Sequence, residues 1–333
     1  MIGRLLSARR WIAGKLLLEL GPESVTYASY PVWIVCAVSS IFALLTVVST
    51  GVHLAWAGFV APAGVTAGLL AIHVTIRLGR RTPELETVSG VFAAICWSGL
   101  MALIATHAGL RANSPLIDDA LARSDALLGF SAPWLIGAVS GHPRVTGLLD
   151  FIYHTVFLAL FVAALAVSVG KFRQRGWDLA FSFAFGSTLC GMIATVYPAI
   201  GTYVHYRIAS DVIAGLPKGA GTFYLSVFES IRSGAVSTID FDKMTGVVTF
   251  PSFHGAIAFM TAFALRGVPR LASFAWAWSA LVNISAIPMG GHYGTDLVVG
   301  DLLWALSAWF MIAIAREKER RDLAPTPDLA LQT

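Results

Sequence analysis

Charge is what this chain has least of. Only 13% of its 333 residues are Asp, Glu, Lys or Arg, 56% are hydrophobic, and the mean hydropathy is +0.73. A soluble domain carries about 25% charged residues. The deficit excludes a soluble globular protein and points to a polytopic membrane protein. Cysteine is scarce too. Cys36, Cys96 and Cys190 lie singly inside apolar runs, which excludes a disulfide framework and a cysteine-based zinc site. The histidines form no HxxH or HxxxH pair, so neither a metal nor any other cofactor is expected. There is no internal repeat, low-complexity tract or interdomain linker. No small-residue cleavage site follows the first apolar run, which is therefore expected to be retained.

What is present is a series of long apolar runs. A membrane span needs about 20 residues, and runs near 31–50, 52–76, 88–109, 147–169, 178–199, 253–267, 271–289 and 295–315 predict eight transmembrane helices. The fold class is therefore all-α, a polytopic membrane bundle. Ahead of it, Arg4, Arg9, Arg10 and Lys15 interleave with Leu, Ile and Trp11. That pattern predicts an amphipathic membrane-surface segment over 1–30, ending near Gly21-Pro22. Residues 317–333 are expected to be a disordered tail.

Lysine and arginine set the orientation. Of the 23 such residues, only Arg111, Arg123, Arg144, Arg207, Lys218, Arg232 and Lys243 fall on the face opposite the termini. The termini are thus expected to be cytoplasmic. The net charge of +4 reflects this topology and gives no reason to invoke nucleic acid. The loops 110–146 and 200–252 then lie on the non-cytoplasmic face, and loops of that length are commonly functional.

Chemistry concentrates between Val248 and Gly300. His254 opens the sixth span, and His292 and Asp296 lie between the last two. All three fall on the non-cytoplasmic face. Ionisable groups at a membrane edge are costly and mark functional candidates. A carboxylate four residues from a histidine can meet it across one helical turn. Phosphate-ester cleavage needs a nucleophile, a proton donor for the leaving oxygen and positive groups around the phosphoryl oxygens. Imidazoles can fill the first two roles near pH 7. His53, His73, His107, His142 and His205 read as capping, snorkelling or loop residues, and Asp301 is not assigned to the site.

The stretches Phe250-Pro-Ser-Phe-His254 and Gly291-His-Tyr-Gly-Thr-Asp296 resemble the second and third signature motifs of the type 2 phosphatidic acid phosphatase (PAP2) superfamily. Within it, they look most like the inositolphosphotransferase and sphingolipid-synthase-like branch. The resemblance implies a six-helix catalytic core over 81–316, with the two helices of 31–80 as an addition. It implies His292 as the nucleophile of a phosphohistidine mechanism, Asp296 as its orienting acid and His254 as the proton shuttle. Ser252 and Gly291 would help to cradle the phosphate. Two departures stand out. The arginine expected six residues before the third-motif histidine is Ala286, and the first motif is not recognisable. The phosphate-binding cation must come from elsewhere. Arg232 ranks first by the resemblance, followed by Lys243, then Arg207 and Lys218. Asp150, Tyr153, His154 and Tyr197 could line a head-group or acceptor pocket, although the plainer readings are helix capping for Asp150 and aromatic-belt anchoring for the tyrosines.

These readings lead to an integral membrane protein of a bacterial inner membrane, with a periplasmic site. It is expected to act as a lipid-phosphate phosphatase or phosphotransferase on a lipid phosphate or phospholipid. A lipid head-group transferase of the inositolphosphoryl or ceramide type and a lipid transporter or flippase are the alternatives. The oligomeric state is left open.

Overall fold

The computed structural model describes residues 25–79 and 82–323. The surface segment expected up to Gly21-Pro22 and the last ten residues of the tail lie outside them. Among the described residues there are thirteen helices and two short strands. The long apolar helices are α1 (Val25–Thr50), α2 (Trp56–Gly79), α3 (Pro83–Leu110), α6 (Pro143–Val167), α7 (Gln174–Val196), α12 (Pro269–Gly290) and α13 (Gly294–Leu323). Each is long and apolar enough to cross a membrane. The protein is a polytopic helical membrane bundle.

The sixth expected span departs from the other seven. Its apolar run forms α11, Phe253–Ala264, of only 12 residues. At 1.5 Å per residue it rises about 18 Å, against a hydrocarbon core of about 30 Å. The helix stops because Gly267 has φ +86 and Pro269 begins α12. At the other end of the chain, α13 runs on to Leu323, past residue 317, where the tail was expected to begin. The two long loops hold short helices: α4 (Asp118–Leu127) and α5 (Ala132–Ser140) in the first, and α8 (Thr202–His205), α9 (Ser210–Ala214) and α10 (Leu225–Arg232) in the second.

Helix starts follow from local chemistry. Proline opens α3, α6 and α12, where its missing N–H costs nothing. Glu84 and Glu86 sit in the first turn of α3, complementing the helix dipole. The main core gathers Val91, Ala94 and Ile95 of α3, Val156 and Leu160 of α6, Trp177, Phe181 and Phe183 of α7, and Ala256, Ile257, Ala258 and Met260 of α11. Small residues at these contacts let the backbones approach closely. The strand pair β1 (His53–Leu54) and β2 (Thr238–Ile239) is parallel, with His53 opposite Thr238. It ties the link between α1 and α2 to the second long loop.

At the end of α11 away from His254, a buried ion pair holds α7 to the turn before α12. Arg266 Nη2 lies 3.0 Å from Asp178 Oδ2, with 3% and 12% side-chain exposure. Arg266 also donates to Phe263 O at 2.8 Å, and its guanidinium lies 4.0 Å over the Phe263 ring. Gln174 donates to Asp178 Oδ1 at 3.2 Å, and Arg175 donates to Arg266 O. Removing one partner of such a pair strands a buried charge at a cost of about 3–5 kcal/mol. Arg266→Ala is therefore expected to lower the melting temperature in detergent markedly. The Arg266→Met, Asp178→Leu double variant should recover most of the loss. Equal losses in the single and double variants would show that the ion pair is not what the site depends on.

Candidate active site

Two chain segments meet at one end of the bundle: Thr249–His254, which leads into α11, and Pro288–Asp296, which joins α12 to α13. Their local order comes from capping. Ser252 is the N-cap of α11, its Oγ accepting from Gly255 N at 3.5 Å. Gly291 ends α12 in the left-handed region at φ +73, a conformation that favours glycine. The two segments are also bonded to each other, Ser252 N donating to Asp296 O at 3.0 Å. A Cβ on Gly300 would come within 2.1 Å of Ser252 O, so a glycine there is what lets α13 close on this turn.

The His292 ring lies between both segments. Its Nδ1 is 3.3 Å from Asp296 Oδ2 and its Nε2 is 3.4 Å from Ser252 Oγ. Asp296 Oδ2 also accepts from Tyr293 N at 2.9 Å. His292 is 3% exposed and Asp296 fully buried. Burial disfavours the imidazolium and pushes the His292 pKa down to about 4, against the opposing pull of a backbone hydrogen bond with Thr249. The ring is thus neutral at pH 7. With Asp296 accepting from Nδ1–H, the lone pair is on Nε2.

His254 reaches the same place through Tyr153. The two rings are stacked at 4.6 Å and 11°, and Phe157 closes the edge of His254 at 5.5 Å. A Cβ added at Gly290 would meet His292 Cδ2 at 2.7 Å and the Tyr153 hydroxyl at 3.0 Å. Tyr153 therefore lies with its face on His254 and its hydroxyl at the His292 end.

Of the expected site residues, His254, His292, Asp296, Ser252, Gly291 and Tyr153 are brought together. Asp150 and His154 pair with each other along α6, Nδ1 to Oδ1 at 3.3 Å. His154 is largely exposed and touches Tyr153 edge-on. Tyr197 is exposed at the end of α7. Lys243 is exposed in a 3-10 turn that packs against α2, and Arg207 and Lys218 are exposed as well. Arg232, the last residue of α10, is half-buried. Its guanidinium is 5.9 Å over Phe228, and its Nη1 is shielded with no hydrogen-bond partner among the described residues. Burial lowers its pKa and Asp118 opposes the shift. The guanidinium of Arg111 packs against Gly234, two residues further on. Ala286 is fully buried, so the position of the expected arginine is occupied by packing.

The sequence reading missed two carboxylates. Asp118 accepts from Ile200 N at 3.0 Å, Gly201 N at 2.8 Å and the Tyr293 hydroxyl at 2.9 Å. Asp125 accepts from Gly294 N at 2.9 Å, Thr295 N at 2.8 Å and Thr295 Oγ1 at 2.7 Å. Both are buried, on one face of α4 with Leu121. The signal was the placement of two aspartates at the i and i+7 positions of that stripe, where a surface helix would turn its apolar residues inward. The turn before His292 is fixed from the second long loop. Tyr203 OH donates to Pro288 O at 2.6 Å, Gly221 N to Met289 O at 2.7 Å and Thr202 N to Gly291 O at 2.9 Å.

Among the described residues, no group of three or more His, Cys, Asp or Glu converges as a metal ion would require. The cluster instead offers an uncharged imidazole backed by a carboxylate, a second imidazole, and a hydroxyl at a helix N-terminus, which is a favourable place for an anion. A family model described as the PAP2 superfamily matches residues 119–310, more than half of the chain. The match begins within α4 and takes in every helix from α5 to α12. No curated protein and no solved structure matches.

Proposed function

The chain belongs to the PAP2 superfamily, and from that premise, which supports a phosphatase or phosphotransferase type of activity, we propose that it cleaves a lipid phosphate ester through a phosphohistidine on His292. The observation that carries this reading is the His292 ring itself, held at Nδ1 by Asp296 with Nε2 turned to Ser252 at the start of α11. In the first step Nε2 attacks phosphorus, the N–P bond forms, and the P–O bond to the lipid breaks. Burial disfavours the charged form of His254, so it takes up its proton together with the anionic phosphate and then gives it to the departing alkoxide. In the second step His254 takes a proton from water or an alcohol, whose oxygen attacks phosphorus as the N–P bond breaks. Asp296 stabilises the positive charge that His292 carries in between, as the acid does in a Ser-His-Asp triad.

The phosphoryl oxygens would meet Ser252, the N–H groups of the first turn of α11 and the backbone at Gly291. Arg232 supplies the positive charge, since its buried Nη1 lacks a partner and a guanidinium suits phosphate. Lys243 ranks below it because it is solvated beside α2. Tyr153 belongs to the pocket wall next to the leaving oxygen, with Asp150, His154 and Tyr197 further out at the rim. The substrate class is a membrane lipid bearing a phosphate ester, such as a phosphatidic acid or a polyprenyl phosphate, whose chains stay among the helices. By the distribution of basic loop residues, the site faces the non-cytoplasmic side.

Water and an alcohol give different products from the same intermediate, and the second long loop packed over the His292 turn favours a held alcohol. Purified protein given phosphate-labelled lipid, with and without candidate alcohols, is expected to turn over in EDTA. Free phosphate alone would identify a hydrolase and a new labelled lipid a transferase. Lipid uptake into sealed vesicles with no phosphorus chemistry would overturn both.

A further inference from the structure

We propose that α4 is a positioning element for the reaction, in which Asp118 and Asp125 set the orientation of His292 from outside the two motifs that carry the chemistry. The inference rests on the function proposed above, and its test keeps the two separable.

The argument begins with cost. An ionised carboxylate is rarely fully buried unless its oxygens are met by donors. Asp118 is 5% and Asp125 0% exposed, and each accepts three hydrogen bonds of 2.7–3.0 Å. Helix stability alone gives no reason for this, since Asp119, beside Asp118 on the same helix, is 83% exposed. The donors are informative. Asp125 takes the first N–H groups of α13, at Gly294 and Thr295, from 169 and 170 residues away. A negative charge there complements the positive end of the helix dipole. Asp118 takes the hydroxyl of Tyr293, whose own N–H donates to Asp296 Oδ2.

The two carboxylates thus grip residues 293, 294 and 295, the whole link between His292 and Asp296. Within the link only Tyr293 N–H is met locally, by Asp296 Oδ2, and the N–H groups of Gly294 and Thr295 open α13, where no preceding turn can accept them. Asp118 also takes Ile200 N and Gly201 N, and Thr202 N donates to Gly291 O. The segment on the other side of His292 is therefore tied to the same helix. A ring that must present Nε2 in line with a P–O bond gains from being fixed at both ends, and a displacement of about 1 Å can cost 10²-fold in rate.

The test uses full-length protein in detergent with Asp118→Asn, Asp125→Asn and the milder Tyr293→Phe and Thr295→Val, which remove one donor each and leave the carboxylates in place. Asp119→Asn is the control. Expected are a fall in kcat of about 10–100-fold for the aspartate variants, KM within about twofold, and an acid limb of the rate that moves to higher pH as the His292 ring loosens and hydrates. Tyr293→Phe added to Asp118→Asn should cost little more. Folded aspartate variants that keep kcat within twofold and leave the acid limb unmoved would overturn the proposal. So would rate losses that only track the unfolded fraction. A second readout needs no turnover. In protein carrying ¹⁵N-histidine, the imidazole signal assigned to His292 by its loss in His292→Gln should shift in Asp125→Asn and stay in place in Asp119→Asn. An unmoved signal overturns the positioning role even if the phosphoryl chemistry fails, and wild-type inactivity on every phosphate ester touches only the proposed function.

Discussion

Alanine in place of His292 is expected to abolish turnover, with a fall in kcat of at least about 10⁴-fold, the scale seen when a nucleophile is removed from a set of groups that act as a unit. The physical reason is that the Asp296 carboxylate holds the His292 ring at Nδ1 and leaves Nε2 as a neutral, oriented lone pair facing the start of α11. The measurement is a quench of the enzyme with phosphate-labelled lipid. Wild-type protein should carry label that is stable to base and lost in acid, as a phosphoramidate is, and His292→Ala should carry none. Full labelling of the variant would place the nucleophile elsewhere. The pH dependence follows from burial. With the His292 pKa pushed down to about 4, the nucleophilic form persists on acidification. The acid limb of phosphoenzyme formation should therefore lie below the ordinary imidazole value of about 6.5. The same shift carries a stability sign. Between about 6.5 and 4 the unfolded chain takes up a proton that the folded site refuses, so this group's contribution to stability is present above that window and is lost as the pH falls through it.

The second large effect is expected at His254. Its alanine variant should lose about 10²–10⁴-fold in kcat on an alkyl phosphate, the usual worth of a general acid. On a nitrophenyl phosphate the loss in phosphoenzyme formation should be far smaller, because nitrophenolate leaves without a proton. That contrast separates a proton donor from a residue that only fills space. Equal losses on both leaving groups would sink the role. The Tyr153 ring stacked on His254 at 4.6 Å predicts that Tyr153→Leu shares the leaving-group pattern in weaker form, because the imidazole is left without its flat support.

The legible parts of this protein are those in which local spacing carries the information. Long apolar runs announce spans because a bilayer leaves the backbone no partner except itself, and seven runs became helices of spanning length. The remaining run, the sixth, was legible as apolar but its helix is short. Hydropathy measures composition, whereas Gly267 and Pro269 end a helix by backbone geometry. Four-residue spacing already placed Asp296 against His292, while the capping of α11 by Ser252 appears only in the structure. Both contacts close within a single turn.

Other contacts depend on where distant segments pack. Asp118 and Asp125 lie in a stretch, LIDDALARSDALL, that reads as an interfacial helix with nothing to single out either carboxylate. Their donors come 82 to 175 residues later. Tyr153 looked like one of several rim aromatics, and packing alone put its face on His254 and its hydroxyl near His292. The same packing left Lys243, ranked second to Arg232 on the sequence, beside α2, and His154 at the rim.

By itself, then, the sequence determined a membrane bundle, its two motifs and the pair His292–Asp296, because hydrophobic length and helical period are written residue by residue. Only the tertiary structure decided which loop carboxylates hold that pair, which aromatic joins it to His254 and which arginine is half-buried over Phe228. Buried hydrogen bonds and burial itself exist only once segments far apart in the chain have excluded water between them.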